Sequence, residues 1–301
     1  MNVTDSVIKK HSYVDEFVGG LSASAVIITH NRPDYLALAL AGVAGQQHKP
    51  DEVIIIDDFS NVDYSSVLQQ FSELPIKYCK LSEPGGANKA RNEGITLATK
   101  DIVLLLDDDD IWSPNYVAQH ILCYENDADA VVCGFKRLDN GVVRVNTNKE
   151  VTEAELRYGN RFCGMSGFSA KRQVLLQFPL DENLGNAQDW DLYVRICCAK
   201  LNFINIPEPL FLYRVGTPDG ITSKLRKMTV DNVGNRLKAA NKHQLWLGEQ
   251  YYNARVADQV LSYLPSKKNK LLWIRKSISL IGLLATMQSL FLKVTGKKRS
   301  N

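Results

Sequence analysis

No two of the six cysteines are spaced CxxC, and residues 1–22 hold no apolar run of the kind that heads a secreted chain. Reduced thiols in a cytoplasmic protein are the expectation, with the adjacent Cys197 and Cys198 packed inside a helix rather than holding a metal. Glycine is missing from THNRPDY, residues 29–35, where a dinucleotide-binding fold would need its glycine-rich turn. A P-loop is excluded as well, because EPGGANKARN contains no GxxxxGK followed by Ser or Thr. Acidic residues are missing from Lys267 to Asn301, a segment that carries nine Lys and Arg. The rest of the chain has 27 basic and 33 acidic side chains, so an acidic body bears a basic tail that suits an anionic surface as partner. No nucleic acid is expected as a partner.

What the sequence does contain is an alternation of strands and helices. At 301 residues with 45% hydrophobic content, the chain is long enough to enclose a full core. SAVIITHN reads as a buried strand ending in polar residues, and RPDYLALALAGVAGQQ as the helix after it, with Pro33 in the first turn and Asp34 near the positive helix end. DEVIIIDDFS, IKYCKL and DIVLLLDDDD repeat the strand pattern, separated by helical stretches around Val62 to Phe71 and over GGANKARNEGITLATK. Such alternation implies right-handed crossovers and an α/β fold, a doubly wound, mostly parallel sheet covered on both faces. From about Ala128 the pattern turns mixed: a hairpin of ADAVVCGFKRL and GVVRVNT around DNG, a helix through AQDWDLYVRICCA, and a strand in FINIPEPLFLYRV. The expected organisation is an N-terminal extension over 1–22, a main domain over 23–222 and a helical C-terminal region over 223–301.

In parallel sheets ligands bind beyond the carboxyl ends of the strands, and THN, DDFS and DDDD all fall there. Four consecutive acids, Asp107 to Asp110, follow an apolar strand directly, and their mutual repulsion demands a countercharge. Hard carboxylate oxygens suit Mg²⁺ or Mn²⁺. An EF-hand loop starting at Asp107 would need Gly and Glu where Trp112 and Ala118 stand, so that reading fails. Capping a helix near Ser113 and Pro114 would employ one acid, not four.

Taken in order, AVIITHNRPDYL, EVIIIDDFS, GGANKARNEGI, IVLLLDDDDIWSP and QDWDLYVRI resemble the motifs of family 2 glycosyltransferases, over roughly residues 24–215. The resemblance implies the GT-A fold with a mixed acceptor-side half, a nucleotide-sugar donor, and inverting transfer to a glycan hydroxyl. By its DxD motif it implies Asp109 as the direct ligand of Mn²⁺ or Mg²⁺, with Asp107 beside the ribose or the metal shell. Asp108 joins the donor site, and Asp110 either touches the ion or supports it from behind. Asp57 and Asp58 match an acidic pair that holds the base, Asp58 foremost. A carboxylate accepts the imide N–H of uracil, which points to UDP, although thymine offers the same group.

Thr29, Asn31 and Arg32 match residues lining the nucleotide, with a helix cap as the other reading of Asn31. Arg91 matches the Arg that lies near the donor or its acids; for it and Lys89 the alternative is a surface salt bridge. Asp189 matches the base that takes the proton of the attacking hydroxyl. Gln188 stands where the family has Glu, and Asp191 reads as structural. YRVGTPDGITSK lacks the His that many relatives place near the metal, so the ion has one ligand fewer or another residue substitutes.

No charged residue occurs from Ser277 to Leu292, a run of sixteen, shorter than the roughly 20 that span a bilayer. At helical spacing Arg275, Ser279, Gly282, Thr286, Ser289 and Lys293 form one narrow face, and apolar side chains fill most of the rest. This reads as an interfacial helix on anionic lipid at the inner face of the cytoplasmic membrane, with packing on the protein or a dimer mate as the alternative. Such docking suits a lipid-linked glycan acceptor, such as a growing polysaccharide or lipopolysaccharide. Two other functions stay open: a nucleotidyltransferase acting on a sugar phosphate, whose basic glycine-rich loop is missing, and an inactive nucleotide-sugar binding module.

Overall fold

The computed structural model describes residues 20–216, 228–267 and 269–295. Most of the expected N-terminal extension and the expected boundary at 222 lie outside them, as do Lys297 to Arg299 of the tail.

The apolar runs form the centre of a nine-stranded sheet. β1 (Ala23–Thr29) lies between β2 (Glu52–Asp57) and β4 (Ile102–Asp107), parallel to both, and β3 (Ile76–Lys80) extends the parallel half beyond β2. Val53, Ile54, Ile55, Ile56 and Val103 to Leu105 are fully buried, as expected for strands covered on both faces. The covering helices are α1 (Pro33–Ala44), α2 (Ser65–Gln70) and α3 (Gly86–Leu97), with Pro33 and Asp34 in the first turn of α1. Register sets Thr29 opposite Asp57 and Ile28 opposite Asp107, so the polar strand ends share one edge.

Beyond β4 the sheet turns mixed. The order continues through β8 (Phe168–Lys171), β6 (Ala130–Arg137), β9 (Phe203–Tyr213) and β5 (Ile111–Trp112), with β7 (Val143–Arg144) paired to β6. β8 is antiparallel to β4 and β6, while β9 is parallel to β6 and slips register near Pro209, which has no N–H to donate. The expected hairpin is present, but its second strand is only two residues long. α4 (Tyr116–Glu125), α5 (Glu153–Leu156), α6 (Arg172–Gln177) and α7 (Gln188–Cys198) complete this half. α4 starts after Asn115 without a side-chain cap, so none of the four acids caps it.

The C-terminal helices α8 (Val233–Lys242), α9 (Gln244–Val260) and α10 (Lys270–Thr295) gather a second apolar cluster that includes Leu237, Val256, Val260 and Trp273. They dock on α7 through Asp191, which is fully buried and pairs with Arg195, with Lys242 at 2.9 Å and with His243 at 2.7 Å.

Here the structure corrects the sequence reading of the tail. α10 is not one straight helix: Gly282, at φ 79° and ψ 167°, breaks it. The Oγ atoms of Ser277 and Thr286 lie 2.9 Å apart, whereas nine residues of unbroken helix would separate them by about 13 Å along the axis. The two halves therefore fold against each other. Thr286 and Ser289, expected on a narrow polar face, are buried with Ser277, and Leu284 and Phe291 stand exposed.

Candidate active site

The first wall of the site is the loop after β1. Thr29 is buried, donates its hydroxyl to Asp108 Oδ2 at 2.8 Å and meets the Tyr64 hydroxyl at 3.0 Å. Asn31, at φ 55°, does not cap α1; its Oδ1 accepts from the Asn61 amide at 2.7 Å, and its own amide donates to Ser60 Oγ at 2.8 Å. These bonds tie the loops after β1 and β2 together. Arg32 Nη1 then reaches Asp108 Oδ1 at 3.2 Å and Asp109 Oδ2 at 3.4 Å.

The acidic pair after β2 splits into two jobs. Asp57 is buried with both oxygens occupied, by the Ser60 amide at 2.8 Å and the Tyr78 hydroxyl at 2.6 Å, so it braces the loop. Asp58 is half-buried and accepts from the Gly85 and Gly86 amides at 2.6 and 2.8 Å, which leaves lone pairs on each oxygen. Lys89, by contrast, only pairs with Glu83 at the surface, at 2.9 Å. Arg91 is buried and points inward, its Nη2 2.5 Å from Asp107 Oδ1, which sets aside the surface reading for it.

The four consecutive acids face different ways because the chain leaves β4 through a turn closed by the Asp110 amide on the Asp107 carbonyl, 3.1 Å. Asp108 turns back to Thr29 and Arg32. Asp107, Asp109 and Asp110 each present an oxygen within 4.8 Å of the others. Burial, reinforced by the charges of Asp107 and Asp108 and opposed by Arg32, pushes Asp109 up to about 6. Burial first, then Asp109 and Asp107, raises Asp110 well above the carboxylate range. Burial also raises Asp108 against its bonds to Thr29 and Arg32. Three hard carboxylates in mutual repulsion form a fitting donor set for a divalent cation, and Asp110 stands among them.

Arg214, which the sequence reading passed over, closes this end. Its amide donates to Asp110 Oδ1 at 2.9 Å, its Nε to the Asp109 carbonyl at 3.1 Å, and its guanidinium lies 4.7 Å from the centre of the Tyr35 ring. The signal was present in the YR that ends β9, where attention went to a missing His.

Asp189 sits half-buried in the first turn of α7, after Ala187 in the left-handed region at φ 55°. The Asn160 amide donates to its Oδ2 at 2.6 Å and the Trp190 amide to its Oδ1 at 2.7 Å. Asn160 gave no sequence signal, being 29 residues away in a loop. Burial raises Asp189, while the Trp190 and Asn160 bonds and the charges of Arg255 and Arg91 pull it back. Arg91 thus faces both Asp107 and Asp189. Tyr213 is pushed up to about 12 by burial and then by the charges of Asp110, Asp109, Asp107 and Asp189. The three polar clusters converge at one sheet edge. Asp191 points away and serves the docking of α8.

Comparison with known proteins agrees with this geometry. The family model described as glycosyl transferase family 2 matches residues 24–185. The chain is 36% identical over 114 residues to a hyaluronan synthase of Pasteurella multocida, covering 37% of this chain and 12% of that protein. It is 28% identical over 221 residues to the amylovoran biosynthesis glycosyltransferase AmsB of Erwinia amylovora, covering 68% of this chain and 73% of that one. An uncharacterized glycosyltransferase of Nostoc is 27% identical, and the match spans 65% of its length. Among solved structures, S. aureus TarS in complex with UDP-GlcNAc superposes with a TM-score of 0.63 at 15% identity over 93% of each chain. The mannosyltransferase PcManGT of Pyrobaculum calidifontis, bound to GDP-Man and Mn²⁺, superposes with a TM-score of 0.60 at 16% identity, over 93% of this chain and 81% of that one. These neighbours show the GT-A fold, and with a family model matched over more than half its residues this chain belongs to glycosyl transferase family 2.

Proposed function

We propose that the protein moves a sugar from a UDP-linked donor to a hydroxyl of a glycan acceptor, with inversion at the anomeric carbon, in the assembly of a cell-surface polysaccharide. The observation that carries this reading is the gathering of Asp107, Asp109 and Asp110 within 4.8 Å at the carboxyl edge of a parallel sheet, with Arg91 bound to Asp107 and its charge acting on Asp189. The three acids would hold Mn²⁺ or Mg²⁺, whose charge stabilises the departing diphosphate. Asp58 offers its free lone pairs to the base, and Thr29, Asn31, Arg32 and Asp108 shape the donor wall. Arg214 stands where a phosphate would need a donor.

Asp189 takes the acceptor proton, since an alcohol becomes acidic only as it attacks. Attack from the side opposite the leaving diphosphate turns an α-linked donor into a β-glycoside. Polysaccharide assembly is supported by what the printed names of the AmsB and hyaluronan synthase relatives state of those proteins.

We place the C-terminal hairpin on an anionic membrane surface, at the inner face of the cytoplasmic membrane. By length and composition α10 would suffice to cross a membrane. With its break at Gly282 each half reaches at most about 20 Å, short of the roughly 30 Å of hydrocarbon, so it lies on the surface. Its exposed leucines and the exposed Lys270, Arg275 and Lys293 fit an apolar boundary with anionic headgroups.

A panel of nucleotide sugars, incubated with acceptor glycans with and without Mn²⁺, tests the reading. The expected product is UDP, dependent on Mn²⁺ and lost in Asp109→Ala. Pyrophosphate release would make the protein a nucleotidyltransferase, and release of nothing a binding module.

A further inference from the structure

Near Asp189, guanidinium groups and aromatic rings alternate. Arg161 lies 4.6 Å from the centre of the Tyr158 ring. Arg157 lies 5.5 Å from Tyr251 and 5.7 Å from Trp246, and Arg255 lies 4.3 Å from Trp190. Tyr158 meets Tyr251 edge to face at 5.2 Å, and Trp190 meets Trp246 at 6.3 Å, so the belt is continuous. Gly159, at φ 110°, holds a backbone conformation that residues with a side chain rarely adopt and packs against the Arg255 guanidinium. The belt joins the base through Asn160, whose amide holds Asp189 Oδ2.

None of these three arginines forms a salt bridge among the described residues. The nearby acids act on them without direct contact and are shared with other groups: Glu153 with Lys200 and the Trp246 indole, Asp258 with Lys293 at 3.7 Å, and Asp189 with Asn160 and Arg91. The Nε atoms of Arg157 and Arg255 are buried without a hydrogen-bond partner. Taking guanidinium groups partly out of water with no carboxylate in direct contact is unfavourable, and a stacked guanidinium still presents its N–H edge for a forked bond to phosphate or carboxylate. Gln188, beside the base, is buried with its Oε1 unpartnered; its neutral amide adds no charge that would repel an anion.

We propose that the acceptor carries a phosphate or carboxylate group, and that Arg157, Arg161 and Arg255 receive it beside Asp189. The proposal rests on the glycosyltransferase reading and names its acceptor class. The anion anchors the glycan at the belt, the half-buried rings of Tyr158, Trp246 and Tyr251 cover its apolar C–H surface, and the reacting hydroxyl falls to the carboxylate that Asn160 orients.

Calorimetric titration of the full chain with methyl glucoside, methyl glucuronide and glucose 6-phosphate tests it. At least one charged compound should bind tenfold or more tightly than the neutral one, the stronger arm naming carboxylate or phosphate. Arg255→Gln and Arg161→Gln should each remove most of that preference, and Arg161, being exposed, is replaceable without disturbing the fold. Equal affinity for all three compounds, no measurable binding, or a preference that survives both substitutions overturns the proposal. Titrating UDP with Mn²⁺ into the same samples separates the two levels. UDP binding without a charge preference rejects the anionic subsite alone, whereas no Mn²⁺-dependent UDP binding rejects the UDP-donor reading on which it rests.

Discussion

The sheet edge and the C-terminal hairpin invert each other's chemistry. At the sheet edge the apolar strand residues are buried and the charges are gathered in a cleft, each carboxylate met by a guanidinium or an amide of the same chain: Arg91 on Asp107, Arg32 on Asp108, Arg214 on Asp110. In the hairpin the buried residues include Ser277, Thr286 and Ser289, while Leu284 is 84% and Val294 86% exposed. Small hydroxyl residues let the two halves approach closely and satisfy one another, as Ser277 and Thr286 do at 2.9 Å. The first region meets its charges only in part, since burial and mutual repulsion still raise Asp109 and Asp110. The second lacks an apolar environment on its outer face, because exposed leucines in such number are unfavourable in water.

The largest effect available lies in the cleft. Asp189→Asn keeps the shape but loses the proton acceptor and one of the two oxygens that accept from Asn160 and Trp190, so transfer should fall by about a thousandfold, the middle of the range for a general base. UDP affinity, measured by titration, should stay within a factor of about two. If the variant kept full turnover, the cleft would still bind a donor but its base would lie elsewhere, and the two regions would differ less sharply than drawn here.

How much of this could be seen in the sequence follows from the range of the forces involved. The parallel half was legible because its signal is local: unbroken β-branched runs, helical spacing between them, polar residues at each strand end. The convergence of THN, DDFS and DDDD followed from topology alone. The split of labour between Asp57 and Asp58 was not legible, since it depends on Tyr78, a residue of a different strand, reaching Asp57. Asp110 stayed ambiguous for the same reason: its amide partner, Arg214, is 104 residues away. The spacing of the tail suggested a continuous helix with a polar stripe. One glycine in the left-handed region undoes that, turning the stripe inward where the halves meet. The arginine belt is assembled from three distant segments and could not be read from any one of them.

A second test acts on the hairpin. Replacing Leu284 and Phe291 together by Glu removes apolar surface and adds negative charge on the outer face. Co-sedimentation with phosphatidylserine-containing vesicles should drop by at least about a hundredfold in apparent affinity, the lower bound set by two side chains worth roughly 1.5–3 kcal/mol each, with charge repulsion adding to it. Turnover on a soluble acceptor should be unaffected. Unchanged sedimentation would mean that another protein surface, not lipid, covers these leucines.

The smallest effect concerns the seam between the two regions. Burial works against ionisation of Asp191, yet His243, Arg195 and Lys242 hold its carboxyl down to about 2. A carboxyl whose folded value lies below its unfolded value of about 3.9 contributes stability above that pH and loses it as pH falls. The seam should therefore weaken between about pH 4 and pH 2. The shift corresponds to about 2 kcal/mol, so Asp191→Asn should lower stability at pH 7 by about that amount and flatten the acid limb of the stability profile. Denaturant unfolding followed by tryptophan fluorescence reads this directly, since Trp190 and Trp246 meet across the seam at 6.3 Å. A variant as stable as the parent at pH 7, with the same acid limb, would show that apolar packing alone joins the helices to α7, and that Asp191 only occupies the seam.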